Sequence, residues 1–99
     1  MVNVHFSIKR RESHVIVTLC DYELLGKTLK HGDIEFNISE SFYGGKVIPL
    51  DNAIEALSVA TIANLIGKES VQGAIKAGYI HEEAVLWIGD VPHAQWMRL

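Results

Sequence analysis

The chain opens on strict alternation. In "VNVHFSI", Val2, Val4, Phe6 and Ile8 share one side and Asn3, His5 and Ser7 the other. That period of two predicts a strand. The run "HVIVTLC" gathers Val15, Val17 and Leu19 in the same way and predicts a second strand. Between them "KRRES" is polar, so the pair reads as a hairpin. A four-residue loop over Arg10–Ser13 sets Phe6 opposite Val17 and Val4 opposite Leu19, whereas a two-residue loop at Arg10–Arg11 sets Phe6 opposite Val15. The tighter loop asks for positive φ at two arginines, so the longer one is favoured.

The spacing then changes. Asp21 stands as an N-cap before "YELLGKTLKH", where Tyr22, Leu25 and Leu29 fall on one helical face and Gly32 supplies a stop. Gly26 inside that helix costs roughly 1 kcal/mol relative to alanine, which asks for a close neighbour or a broken helix. "DIEFNIS" returns to alternation, with Ile34, Phe36 and Ile38 together. "SFYGGKVIPL" predicts a Gly-Gly turn and a fourth strand that Pro49 ends or places at a sheet edge. Asn52, with Glu55 three residues on, has the capping-box pattern for a long helix whose stripe is Ile54, Leu57, Thr61 and Leu65 and which Gly67 closes. "ESVQGAIKAG" predicts a short third helix ended by Gly78. "AVLWI", Ala84 to Ile88, is apolar on both faces and reads as an interior strand. In "VPHAQWM", Pro92 holds Val91 extended.

These elements predict one α+β domain over residues 1–99, in the order β-β-α-β-β-α-α-β plus an extended C-terminal segment. The sheet is expected to be mostly antiparallel, with helices on one face. A mixed sheet with "AVLWI" parallel to one neighbour is the alternative.

Composition supports that reading and narrows the partners. At 99 residues and 48% hydrophobic, the chain can build a core without staples. The net charge is −3. Lys68, Lys76 and Arg98 stand against Asp51, Glu55, Glu69, Glu82, Glu83 and Asp90, so the acidic excess lies in the second half. Nothing here has the basic face of a duplex-DNA binder. The lone Cys20 rules out an intrachain disulfide and fits a reducing cytoplasm. The uncharged run Ala56–Gly67 is too short to span a bilayer, so no membrane partner is expected.

Four patches, "CDYELLGK" (Cys20–Lys27), "FYGGKVI" (Phe42–Ile48), "ATIANLIGKESVQGAI" (Ala60–Ile75) and "VPHAQ" (Val91–Gln95), occur in an order that resembles the archaeal family catalogued as domain of unknown function 424. The resemblance covers nearly the whole chain; the opening "VNVHFSIKRRESH" carries it least. It implies a small, stand-alone archaeal cytoplasmic protein with no agreed activity, in a family associated with translation genes and with proposals of RNA binding. It carries over no catalytic residue.

The candidate chemistry is sparse. "GKT" at Gly26–Thr28 has Asp21 where a P-loop needs its first glycine, and an acid there would repel phosphate. His5, His14, His31, His81 and His93 show no paired metal spacing, so no metal or cofactor is expected. Cys20 beside a helix start, with His93, makes a nominal thiolate pair that the acid Asp21 opposes. "ATIANLIGKESVQGAIKAG" has a helix-turn-helix outline but offers only Gln72 and Lys76 to a groove; a plain helical hairpin on the sheet fits better, and DNA is not an expected partner.

Ligand contact is assigned to Tyr43, Gly44, Gly45 and Lys46, where the Tyr43 ring, with Phe42 beside it, stacks on a base, glycines admit a close backbone and a cation meets phosphate; the alternative is a tight hairpin turn with Phe42 packed inward and Tyr43 on the rim. His93 and Gln95, alternating on one side of the last segment, join them. Lys9, Arg10 and Arg11 at the hairpin tip, with Lys27 and Lys30, form a candidate basic patch. The favoured function is a non-enzymatic RNA-binding or translation-associated module, with RNA or a ribosome-associated factor as partner. The alternative is a small enzyme or metabolite binder in which His93 and Gln95 face Cys20 or Asp21 across a cleft.

Overall fold

The structure, a computed structural model, describes residues 2–98. The first two runs form strands β1 (Asn3–Arg11) and β2 (His14–Asp21), joined at Glu12 and Ser13. Phe6 lies opposite Leu19 and Ile8 opposite Val17, a register neither loop length had indicated. This turn sits two residues further on than the tighter alternative. It takes positive φ at Glu12 alone (53°), and the ladder extends to Arg11 and His14. The strain at one polar residue is offset by more backbone pairing.

After Asp21 the chain makes only a 3-10 turn, Tyr22–Leu24. The helix expected over "YELLGKTLKH" is replaced by strand β3 (Thr28–His31), paired with β4 (Ile34–Asn37) around Gly32 and Asp33. Gly-Asp between alternating runs is itself a hairpin signal. Gly26 donates its amide to Ile38 O at 2.8 Å, a bond to a distant residue that a helix would not make. A single turn, α1 (Glu40–Tyr43), leads to β5 (Lys46–Pro49), a strand that Pro49 ends at the sheet edge as its chemistry requires.

The long helix is much shorter than its periodicity suggested. It runs as α2 (Leu50–Ala56), with Pro49 rather than Asn52 at its N-cap, and ends in a 3-10 turn, Leu57–Val59. The remaining apolar run becomes β6 (Ile62–Ile66), not helix. Helix α3 (Lys68–Lys76) follows as expected, and Gly67 starts it rather than closing its predecessor. "AVLWI" shrinks to β7 (Leu86–Ile88), and "VPHAQWM" is the full strand β8 (Val91–Met97).

Six strands join in the order β5-β1-β2-β6-β8-β7, and β3 with β4 stands as a separate ribbon. Within the six, β2 and β6 are parallel and every other neighbouring pair is antiparallel. The α+β class therefore holds, but the buried two-faced strand is β6, and "AVLWI" lies at the edge with Trp87 56% exposed. Val17, Leu19, Leu65 and Ala94 face one way and pack under Ala53 of α2 and Val71 and Ala74 of α3. Cys20 and Ile66 face the other way, under Ile38, Tyr43 and the β3–β4 ribbon. Helix α1 thus sits opposite the other two helices. The ribbon covers the Ile66 end of β6 on this face, so the strand buries Ala63 and Leu65 on one side and Ile66 on the other.

Candidate functional site

Sheet register decides which candidates meet. Cys20 lies opposite Ile66, and Ile66 opposite His93, so these share the face beneath the ribbon. Tyr43 and Val91 pack into the same cluster. The three patches around Cys20, Tyr43 and His93 thus converge, but as a core. Tyr43 is only 3% exposed and cannot offer its ring to a base. Burial pushes its hydroxyl up to about 12, with the Cys20 sulfur adding to the shift. The Cys20 thiol is also pushed up to about 12, by burial first and then by the charges of Asp21 and Glu23. A thiol so held is a poor nucleophile. It donates to Asp21 O at 3.3 Å.

His93 rests against Phe36, ring centroids 5.8 Å apart, and burial lowers its basicity. Neither acid–base partner weighed for it is available. Cys20 stays protonated, and the Asp21 carboxylate is engaged elsewhere. Asp21 Oδ1 accepts from Ser70 N and Ser70 Oγ, both at 2.8 Å, and Oδ2 from Glu69 N at 3.0 Å. Asp21 is a helix cap, as its residue type suggested, but of α3. Gly67, between β6 and that helix, has φ 110°, and a Cβ there would run into the Asp21 carboxyl. Only glycine lets the two elements approach so closely.

The remaining ligand-contact candidates disperse. Gly44 caps α1 by donating to Glu40 O at 2.8 Å, and Gly45 lies so close to Phe6 O that a side chain would clash. Lys46 pairs with Phe6 and so faces the α2–α3 side, away from Gln95. Gln95 lies opposite Asn64, on the same face as Thr18 and Ser7. The Ser7 and Thr18 hydroxyls bond each other at 2.5 Å beneath α1.

The basic patch divides as well. Lys9, Arg10 and Arg11 stay at the β1–β2 tip, while Lys30 lies on β3 and Lys27 just before it, beyond the far end of β2. A cation that sequence reasoning missed joins the tip. Arg98 N donates to Thr61 O at 2.7 Å, and Thr61 Oγ1 accepts from Val15 N at 2.8 Å and lies 3.2 Å from His14 Nδ1. That placement becomes visible only once Thr61 is known to enter a strand beside Val15.

The sheet beside this tip is open. The ribbon covers the rows of Cys20, and α1 lies over Thr18, its Phe42 O 3.5 Å from Thr18 Oγ1. Beyond them, on the same face, lie Lys9, Ile16, Ile62, Asn64, Gln95 and Met97. Lys9 Nζ reaches Ser41 O at 3.2 Å, which ties the tip to α1. Phe42, edge-on to Tyr43, is 40% exposed at the rim. Of the two rings Phe42 faces water and Tyr43 packs inward, the reverse of the arrangement expected for a hairpin turn there. A second concavity, a groove of about 520 Å³, runs between α3 and β7 with Trp87, Lys68, Gln72, Lys76 and Glu82 on its walls. Among the described residues no cluster of His, Cys, Asp or Glu is arranged to hold a metal ion, and no helix is long and apolar enough to cross a membrane.

A two-sided sheet with a buried cysteine, a structural aspartate and an open, cation-bordered surface defines a small α+β protein. The chain belongs to the family described as "Protein of unknown function (DUF424)", whose model matches residues 8–99. The match leaves out residues 1–7, in the opening stretch that carried the resemblance least. The structure is similar to the crystal structure of an uncharacterized conserved protein from Methanopyrus kandleri, with a TM-score of 0.82 and 31% identity, covering 95% of this chain and 90% of that one. No curated protein matches the sequence.

Proposed function

We propose that the protein is a non-enzymatic module that binds single-stranded RNA of the translation apparatus on the open half of its sheet. One observation carries this reading: an uncovered strand surface, bordered by Lys9 and Arg11 at one end, has the exposed Phe42 ring at its side and the Asn64 and Gln95 amides across it. Unpaired bases are recognised by stacking on aromatic rings and by hydrogen bonds to amides, while cations meet the backbone phosphates. The site is small and the net charge negative, so modest, salt-sensitive affinity is expected. Cys20, buried and unpaired, suits the reducing cytoplasm in which such RNA resides.

Fluorescence anisotropy with a labelled oligouridylate of about 12 nucleotides tests this, at about 50 mM and about 200 mM salt. Binding at the lower salt that weakens at the higher is expected. Reversing Lys9 and Arg11 to glutamate should lower affinity at least about tenfold, and Phe42→Ala about five- to thirtyfold. Tyr43→Phe should leave it unchanged, because that ring is buried. No binding at low salt would sink the proposal.

A further inference from the structure

The open half of the sheet holds a small concavity of about 320 Å³ over β6 and β8. Ile62, Asn64, Gln95 and Met97 wall it. The main chain of Ala63 and Trp96 forms its floor, because those two side chains pack on the α2–α3 side. Asn64 lies directly opposite Gln95. Arg98 N donates to Thr61 O at 2.7 Å and Gly67 N to Pro92 O at 3.0 Å, so the hydrogen-bonded pairs of this ladder fall at the odd-numbered residues of β6. Asn64 and Gln95 are therefore a close, non-hydrogen-bonded pair, with Cβ atoms about 4.5–5.5 Å apart. Asn64 is half-buried and Gln95 exposed. Further along the same row the Ser7 and Thr18 hydroxyls bond each other, but the two amides bond neither each other nor any other group among the described residues. Each offers a carbonyl acceptor beside an NH2 donor.

We propose that this concavity is a base pocket selective for adenine, held as an unpaired base of a single strand. Adenine alone among the four bases carries an amino group with a ring acceptor on either side, N1 and N7. The Asn64 and Gln95 amides can grip it from both sides. Each carbonyl takes one amino hydrogen, and each NH2 group donates to one ring nitrogen. Two acceptors on the hydrogens of one amino group stand about 5 Å apart, from bonds of about 2.9 Å at about 120°. That is the spacing of a close cross-strand pair. The ring then lies along the Asn64–Gln95 row and faces Ile62 and Met97, one row away at about 6.7 Å. Met97, 59% exposed, presents a thioether to that face. On the other side the ribbon closes the row of Ile66 and His93. Guanine and cytosine have a ring acceptor on only one side of their amino groups, and uracil has no amino group, so each leaves part of an amide unmet. The choice of adenine follows from the pocket; that the adenine belongs to a strand rests on the RNA reading of the open face.

Fluorescence anisotropy at about 50 mM salt compares an oligouridylate of about 12 nucleotides with the same strand carrying one central adenosine or one central inosine. Adenosine should tighten binding at least about tenfold, and inosine, in which a carbonyl replaces the amino group, should not. Asn64→Leu and Gln95→Leu should each bring the adenosine-containing and all-uridine strands within about threefold of each other. That ratio compares two ligands on one sample, so a loss of folded protein cannot imitate it. In a second arm, adenosine monophosphate at about 5 mM should move the Asn64 and Gln95 side-chain NH2 signals in a nitrogen-correlated NMR spectrum, while inosine monophosphate leaves them in place. Equal affinity for the three strands overturns the adenine inference and leaves the RNA reading standing. A preference that either variant retains does the same. If no strand binds but adenosine monophosphate still moves those signals, the RNA reading falls and the pocket belongs to a free adenine nucleotide. If neither strand nor mononucleotide binds, both are overturned.

Discussion

Asp21 and Ser70, far apart in the chain, are joined by two hydrogen bonds of 2.8 Å from the Ser70 amide and hydroxyl to one carboxylate oxygen. The other oxygen takes the Glu69 amide. The last residue of β2 thereby satisfies the free donors of α3, whose own preceding residue is Gly67 and provides no side-chain cap. A carboxylate at a helix start also opposes the positive end of the helix dipole. Asp21→Ala should destabilise the protein by about 2–4 kcal/mol in urea titration, because buried donors lose a charged acceptor. Asp21→Asn should recover only part of this. Its oxygen can still accept from Ser70, but its NH2 group meets the Glu69 amide as a second donor.

Gly67→Ala tests the same junction from the other side. A methyl group there meets the Asp21 carboxyl, and φ 110° is unfavourable for any side chain. A loss of at least about 3 kcal/mol is expected. The double variant with Asp21→Ala should lose less than the two single losses added together, since removing the carboxyl relieves the clash. Strict additivity in chemical denaturation would show that the two residues do not share this contact.

His93 makes stability depend on acid. Burial lowers its basicity in the folded protein, while the unfolded chain titrates near the ordinary 6.5. As pH falls through 6.5, the unfolded state takes up a proton that the folded state resists. This contribution is therefore complete above about 6.5 and declines as pH drops toward the lower folded value. Replacing His93 by phenylalanine, which can keep contact with Phe36, should flatten that part of the profile. A wild type and variant with parallel urea midpoints between about pH 5 and 7 would contradict the burial argument.

What the pattern of residues revealed, and what it hid, has physical causes. The opening hairpin, β4, the edge position of β5, α3 and the extended β8 follow from local periodicity and from proline chemistry. Strand β6 was hidden because its buried residues Ala63, Leu65 and Ile66 lie on both faces, and a short apolar run of that kind has no period of its own. Its residues Ile62–Ile66 extended the helical spacing of α2 by chance. The same ambiguity worked in reverse on Leu86 and Trp87, which are apolar yet exposed at an edge. Asp21 illustrates the limit at the site. Its side chain was legible as a cap, but the partner helix is set by the parallel pairing of β2 with β6, which is not a local property. Tyr43 and Phe42 differ only in which way one helical turn faces, and that depends on where Cys20 lies beneath.

The second core gives the protein an alkaline limit as well. Cys20 and Tyr43 pack together, and each has its pKa raised to about 12. In the unfolded chain they titrate near 9.0 and 10.0, so from about pH 9 upward the unfolded state loses protons that the folded state retains. Their contribution is intact below 9 and is lost as pH rises toward 12. Cys20→Ala should remove the earlier part of this decline, at a cost of about 1–2 kcal/mol at neutral pH for the space left by the sulfur. The native thiol should react with Ellman's reagent only as fast as the ribbon opens, and denaturant should release it at once. Rapid labelling of the folded protein at pH 8, with no change in its circular dichroism, would mean that the β3–β4 ribbon does not seal this face and that Cys20 is accessible after all.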